Sequence, residues 1–145
     1  MLPRCKASAA PSAYARRVRF LLIMLAACAP QLQTLELVNH TPRAIEAVYI
    51  YAPGADRGAS RAQLAPNAHA NVQVPAGHVE VEAVSAKYQL DEHTRDRPTA
   101  SGQLELRGPS KVIFYDRDDR PADVDRPDAF GIEFSPPKPR ATDEP

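Results

Sequence analysis

Residues 69–83 read HANVQVPAGHVEVEA, and this stretch decides the fold because apolar and polar residues alternate along it. Apolar side chains occupy every second position on both sides of a Pro-Ala-Gly turn, at Ala70, Val72, Val74, Val79, Val81 and Ala83. An alternation of period two is typical of a strand with one buried face. With Ala76 and Gly77 as a two-residue turn, the pattern predicts a hairpin in which Val74 lies opposite Val79.

The same alternation recurs along the chain and predicts seven short strands. They fall within residues 35–37, 44–51, 69–74, 79–83, 103–106, 111–115 and 130–134. The segment KVIFY, residues 111–115, is apolar on both faces. Turn-forming prolines and glycines separate the segments, and no long helical pattern lies between them. The sequence therefore predicts an all-β fold, an antiparallel β-sandwich of immunoglobulin-like or transthyretin-like type.

The composition narrows the class of protein. A chain of 145 residues suits one domain, and its 15 prolines disfavour coiled coils and mainly helical folds. Residues 1–27 carry five cations and no acid, so the rest of the chain holds 13 cations against 18 acids. Nucleic-acid binding is not expected, because phosphate binding requires a basic surface.

The N-terminal segment predicts an export signal. Residues 14–28 read YARRVRFLLIMLAAC, in which a basic stretch precedes eight apolar residues, too few to span a bilayer. The segment Leu25-Ala26-Ala27-Cys28 resembles the lipobox of bacterial lipoproteins. The resemblance implies that residues 1–27 are a signal peptide, and that Cys28 is acylated after cleavage. Two alternatives stay open: an ordinary secretory signal with a chance cysteine, and twin-arginine export through Arg16 and Arg17.

The lipoprotein resemblance also implies a location and a domain plan. Such proteins carry palmitate and related acyl chains in the cell envelope, and the absence of aspartate at position 29 implies sorting to the outer membrane. We expect a tether at residues 28–32, a sandwich domain at 33–135 and a disordered, proline-rich tail at 136–145. Cys5 lies in the signal peptide and Cys28 is acylated, so the domain has no thiol for a disulfide or a metal.

A second resemblance concerns the domain itself. Small bacterial β-sandwich modules of the PEGA type have an apolar strand, then Leu-x-Pro, then a Pro-x-Gly-His turn. The corresponding stretches here are Val48-Tyr49-Ile50, Leu64-Ala65-Pro66 and Pro75-Ala76-Gly77-His78. Those modules have no catalytic residues, and the resemblance therefore implies none here.

Two charged loops are candidate metal sites. In the charged loop of residues 91–97, from Asp91 to Arg97, Asp91 and His93 could face one ion, but no third ligand is indicated, and the alternative is a solvated loop. Residues 116–128, from Asp116 to Asp128, contain six aspartates, which are the kind of ligand that Ca²⁺ prefers. Three interleaved arginines favour charges that pair within the loop, so we expect no metal at either loop.

The remaining polar residues do not form a catalytic motif. His40, His69 and His78 lie in or beside turns, and the predicted hairpin separates His69 from His78. No serine has flanking residues that suggest an activated nucleophile, and Tyr49, Tyr51 and Tyr115 are expected to pack within strands.

We therefore expect a non-enzymatic, cofactor-free envelope protein. Its membrane partner is engaged through the N-terminal lipid, and its domain binds or supports an envelope protein or polymer. The alternative is an envelope metal-binding protein or hydrolase that uses residues 91–97 or 116–128.

Overall fold

The computed structural model describes residues 29–89, 93 and 95–135. The predicted signal peptide, Cys28, Asp91 and the predicted tail of residues 136–145 lie outside the described residues. Within the described part of the chain, no helix is long and apolar enough to cross a membrane.

The described residues form ten strands and one short 3-10 helix, Ala122–Asp125. The strands are β1 Leu32–Asn39, β2 Ile45–Tyr51, β3 Ala62–Leu64, β4 His69–Pro75, β5 Gly77–Ser85, β6 Tyr88–Gln89, β7 Arg95–Asp96, β8 Thr99–Leu106, β9 Ser110–Asp116 and β10 Ala129–Phe134. All seven predicted segments fall in strands. The three additional strands, β3, β6 and β7, have two or three residues each, which is too short for an alternation to show.

Two four-stranded sheets pack face to face, which confirms the predicted all-β sandwich. The first sheet has the order β10-β9-β1-β4, the second has the order β3-β2-β5-β8, and β6 pairs with β7. One apolar core lies between the sheets. Its largest fully buried side chains come from both of them and include Phe114, Phe134, Leu35, Leu37, Ile45 and Leu106.

The strand order can be compared with that of the immunoglobulin fold, one of the two predicted sandwich types. The immunoglobulin constant domain has sheets ABED and CFG. Lettered in the same way without the β6–β7 pair, the strands here have the orders H-G-A-D and C-B-E-F. This order differs from the immunoglobulin arrangement, and the transthyretin-like alternative stays a prediction.

The predicted hairpin between residues 69–74 and 79–83 is wrong. Strand β4 pairs with β1, so Val74 lies opposite Gln33, whereas β5 pairs with β2 and β8, so Val79 lies opposite Leu104. The chain crosses from one sheet to the other at Pro75, Ala76 and Gly77, a segment that we call the arch. Both valines still point into the core, because alternation specifies a buried face and leaves the partner strand open.

The sandwich is also not wholly antiparallel, since β9 is parallel to both β1 and β10. Parallel neighbours cannot be joined by a tight turn, and residues 117–128 form the crossover that connects β9 to β10. The 3-10 helix of this crossover lies over the outer face of the sheet, near Tyr115. Ile113 and Tyr115 are accordingly buried on the outer face of β9, while Val112 and Phe114 are buried in the core, as the KVIFY pattern indicated.

The strands define two ends of the sandwich. At the arch end, β1, β9 and β10 begin, while β2, β4 and β8 finish. At the opposite end, β1 finishes at Asn39 and β9 at Asp116. We call this the network end, after the buried polar side chains described below.

Gly131 is expected to be essential for the fit of the crossover. A Cβ at Gly131 would lie 2.5 Å from Val124 Cγ1 and 2.8 Å from Tyr115 Cε1, closer than such atoms pack. Gly131→Ala should therefore lower the free energy of unfolding by about 1–3 kcal/mol in urea denaturation. Gly108→Ala is the matched control, because no atom lies within 4 Å of its Cβ position and its φ is not positive. Equal stability of the two variants would contradict the packing described here.

Candidate functional site

A cluster of polar side chains is buried at the network end, and we call it the polar network: Asn39, Thr41, Arg43, Ser85 and Asp116. Asn39 lies at its centre, fully buried at the end of β1. Its Nδ2 atom donates to the carbonyl oxygens of Arg43 at 2.7 Å and Ala65 at 3.0 Å. Its Oδ1 atom accepts from the backbone N–H of Thr41 at 3.0 Å. One amide side chain thus holds the β1–β2 turn and the end of β3 in place.

Thr41 and Ser85 complete the interior of the network. The hydroxyl of Thr41 lies 2.8 Å from Asn39 Oδ1 and 3.0 Å from the carbonyl oxygen of Arg43, and can donate to either. The hydroxyl of Ser85, at the end of β5, accepts from Arg43 Nε at 3.0 Å. Both residues are buried, with exposed fractions of 1% or less.

Arg43 and Asp116 form the ionic part of the network. The guanidinium donates through Nη1 to Asp116 Oδ2 at 2.9 Å and through Nη2 to Oδ1 at 2.6 Å. This is the bidentate geometry that gives arginine–carboxylate pairs their strength and direction. The side chains are only 13% and 17% exposed, so water screens the pair weakly. The Tyr88 ring, 5.7 Å from the guanidinium carbon, lies against the same group.

The chemistry of the polar network is structural. Ser85 contacts a guanidinium, which cannot accept a proton at neutral pH and so cannot act as a general base. Every buried polar side-chain atom among the described residues has a hydrogen-bond partner. This arrangement could not be predicted from local sequence patterns, because Arg43 and Asp116 are 73 residues apart.

The aspartates of residues 116–128 do not converge on one point. Asp116 pairs with Arg43, Asp125 with Arg120 at 2.6 Å, and Asp123 with Arg126 at 3.3 Å. The hydrogen bond to Asp125 raises the pKa of Arg120. The loop is the crossover between β9 and β10, and its pairs run within the loop and to the sheet beside it.

The loop of residues 91–97 is described only in part. Arg97 pairs with Glu46 on β2 at 3.1 Å, and its backbone N–H donates to Asp96 Oδ1 at 2.8 Å. These contacts hold the described part of the loop against the second sheet.

The histidines are distributed over the fold. His40 Nε2 lies 3.7 Å from Asp119 Oδ2, while His69 is on β4 and His78 is on β5, in different sheets. The hairpin that was expected to separate His69 from His78 does not form, so the sheets separate them instead. Among the described residues, no three histidine, cysteine or acidic side chains lie close enough together to hold a metal.

The three tyrosines that are expected to pack within strands, Tyr49, Tyr51 and Tyr115, lie in two different surroundings. Tyr115 is buried beneath the crossover. Tyr49 and Tyr51 are half-buried on the outer face of the second sheet, where the Arg57 guanidinium lies 4.0 Å from the centre of the Tyr49 ring. Tyr51 donates to Glu82 at 3.3 Å, and partial desolvation together with Glu80 and Glu82 raises its pKa.

A pocket of about 300 Å³ opens between the sheets at the arch end. Ile50, Val74 and Val79 of the core line it, together with Tyr51, Arg61 and His78. This volume is at the lower limit for small-molecule sites. A shallower depression of about 540 Å³, lined by Glu46 and Gln63 among others, runs beside β2 and β3. The arch-end pocket is therefore the better candidate for a ligand or a surface contact.

The polar network should account for a large share of the stability. In Asn39→Ala, two part-buried carbonyl oxygens lose their donor and the buried Thr41 N–H loses its acceptor, which should cost about 2–4 kcal/mol. The measurement is urea denaturation followed by far-ultraviolet circular dichroism. Asn71→Ala, at an exposed position on β4, is the control and should change stability by less than about 0.5 kcal/mol. A similarly small change for Asn39→Ala would refute the role assigned to the network.

Calcium should leave the melting temperature unchanged, since Asp116, Asp123 and Asp125 pair with three different arginines and the loop carboxylates do not converge. A tight site would add about 4 kcal/mol at a thousandfold ligand excess. That gain would raise the midpoint by about ten degrees or more. Thermal denaturation in millimolar Ca²⁺ and in chelator makes the comparison. A rise that disappears in Asp118→Asn would establish a calcium site; Asp116→Asn is unsuitable, because it also removes the partner of Arg43.

No protein-family model, curated protein sequence or solved structure matches this chain. The chemistry and geometry of its own residues are therefore what bear on its function.

Proposed function

We propose that this chain is a lipid-anchored, non-enzymatic protein of the bacterial cell envelope. Cys28 carries the lipid, and the β-sandwich is a rigid module that binds or supports a protein or polymer near the membrane. The residue after the acylated cysteine is Ala29 and not aspartate. In the lipoproteins that the chain resembles, the absence of aspartate at this position implies sorting to the outer membrane.

The observation that carries the proposal is the position of the first strand. Strand β1 begins at Leu32, four residues after the cysteine of the lipobox-like segment. Four residues extend at most about 14 Å. A lipid on Cys28 would therefore hold the folded domain directly at the bilayer surface, and several acyl chains make such attachment stable.

The hydrogen bonds and ion pairs that the polar side chains already make support a non-enzymatic role. Arg43, Ser85 and Asp116 bond to one another inside the fold, and Asp123 and Asp125 pair with arginines of the crossover. A nucleophile would need a neighbouring base to activate it. Ser85, the buried serine, has a guanidinium in that position.

Acylation at Cys28 is tested by labelling with radioactive palmitate in a bacterial host. Cys28→Ser should abolish incorporation and move the protein from the membrane fraction to the soluble fraction, because the acylated thiol is then absent. Cys5→Ser is the matched control and should retain both label and location, since Cys5 lies in the segment that is removed. Palmitate incorporation into the Cys28→Ser variant would overturn the proposal.

A further inference from the structure

The chain enters the sandwich at the arch end. The carbonyl oxygen of Gln31 accepts from the N–H of Ala76 at 2.8 Å, and Leu32 lies opposite Pro75 in the sheet. Gln31, which directly precedes β1, is therefore fixed against the arch, beside the pocket that Val74 and His78 help to line.

The length of the tether restricts how an anchored domain can lie on the bilayer. Cys28 and Leu32 are separated by at most about 14 Å. Strand β1 extends about 23 Å from Leu32 to Asn39, so the network end lies farther from Leu32 than the tether can reach. The anchored sandwich therefore cannot stand upright on its network end, and either the arch end or a side of the sandwich faces the lipid.

Two features favour the arch end over a side. Leu32 is the large apolar residue that is exposed within the described part of the chain, with 55% of its surface accessible. A single exposed leucine is ordinary on a protein surface, but this one lies at the start of the strand that follows the anchor. The pocket at the same end reaches the core residues Ile50, Val74 and Val79, and Arg61 also lines it. Arginine has an apolar stem and a polar tip, a combination that suits the boundary between headgroups and acyl chains.

We propose that the arch end is a membrane-contact surface whose partner is the phospholipid bilayer. Leu32 inserts at the boundary between headgroups and acyl chains, and the pocket opens onto lipid. The network end and the outer faces of both sheets are then left for partners away from the membrane. This inference rests on the proposed anchoring at Cys28.

The test measures which part of the anchored domain contacts lipid. Full-length protein is expressed in a bacterial host, purified with its lipid and reconstituted into vesicles of phosphatidylethanolamine and phosphatidylglycerol. After processing and acylation no native thiol is left, so a single introduced cysteine can carry an environment-sensitive fluorophore. Ala76→Cys places it at the arch and Ala65→Cys at the network end, and both alanines are exposed. Asn71→Cys and Ser101→Cys report on the outer faces of the first and second sheets.

Nitroxide-labelled lipids should quench the fluorophore at Ala76→Cys about twofold more strongly than at the other three positions, because quenching requires approach to the interface. Adding Leu32→Ser should roughly halve that difference, since the inserted side chain is lost. Equal or stronger quenching at Asn71→Cys or Ser101→Cys would show a domain lying on its side. Strongest quenching at Ala65→Cys would show contact through the network end, and either result overturns the inference.

The mass of the purified protein separates failure of this inference from failure of the proposed function. A protein that carries acyl groups but shows no preference for Ala76→Cys is anchored without using the arch end. A protein with no acyl groups and a free Cys28 thiol overturns the anchoring and, with it, the inference.

Discussion

The bidentate pair between Arg43 and Asp116 is the interaction on which one end of the sandwich depends. Arg43 follows β1 and Asp116 ends β9, and the guanidinium also binds Ser85 at the end of β5. The pair therefore ties the first sheet to the second. A largely buried ion pair is favourable only when its remaining hydrogen-bonding groups are satisfied, and loss of one partner typically costs about 3–5 kcal/mol. Ser85 contributes to this condition by accepting from Arg43 Nε, while Asn39 and Thr41 satisfy the backbone of the same turn.

The crossover between β9 and β10 begins at the network end, where the Arg43–Asp116 pair lies. Asp116 is both the last residue of β9 and the partner of Arg43, so the crossover begins at a fixed point. From there the chain must return to the arch end to add β10 in parallel, which requires a long connection. The aspartates and arginines of this connection keep it soluble and paired along its exposed side, while Val124 packs near Gly131 on the inner side. The aspartates of residues 116–128 are thus explained by the exposure of the crossover to solvent.

The sequence predicted which residues face the core better than it predicted which strands are neighbours. The alternation at residues 69–74 and 79–83 correctly placed Val74 and Val79 inside. It could not distinguish a hairpin from an arch, because both keep alternate residues on the buried side. The parallel pairing of β9 with β10 was missed for a related reason: only the length of residues 117–128 pointed to it. The polar network was also missed, since its residues come from three separate places in the chain and share no local pattern. The prediction that Cys28 is acylated concerns a residue outside the described part.

The two ends of the sandwich differ in a way that sequence order alone does not show. At the network end, the buried polar side chains of Asn39, Arg43 and Asp116 are hydrogen-bonded to their neighbours, and the depression lined by Glu46 and Gln63 is shallow. At the arch end, the passage of the chain between sheets at Pro75, Ala76 and Gly77 leaves a gap, and core valines line it. A sandwich whose two sheets are joined by an arch rather than a hairpin has such an opening wherever no loop covers it. Because the same arch also receives the start of β1, this opening lies near the residue that would carry the lipid.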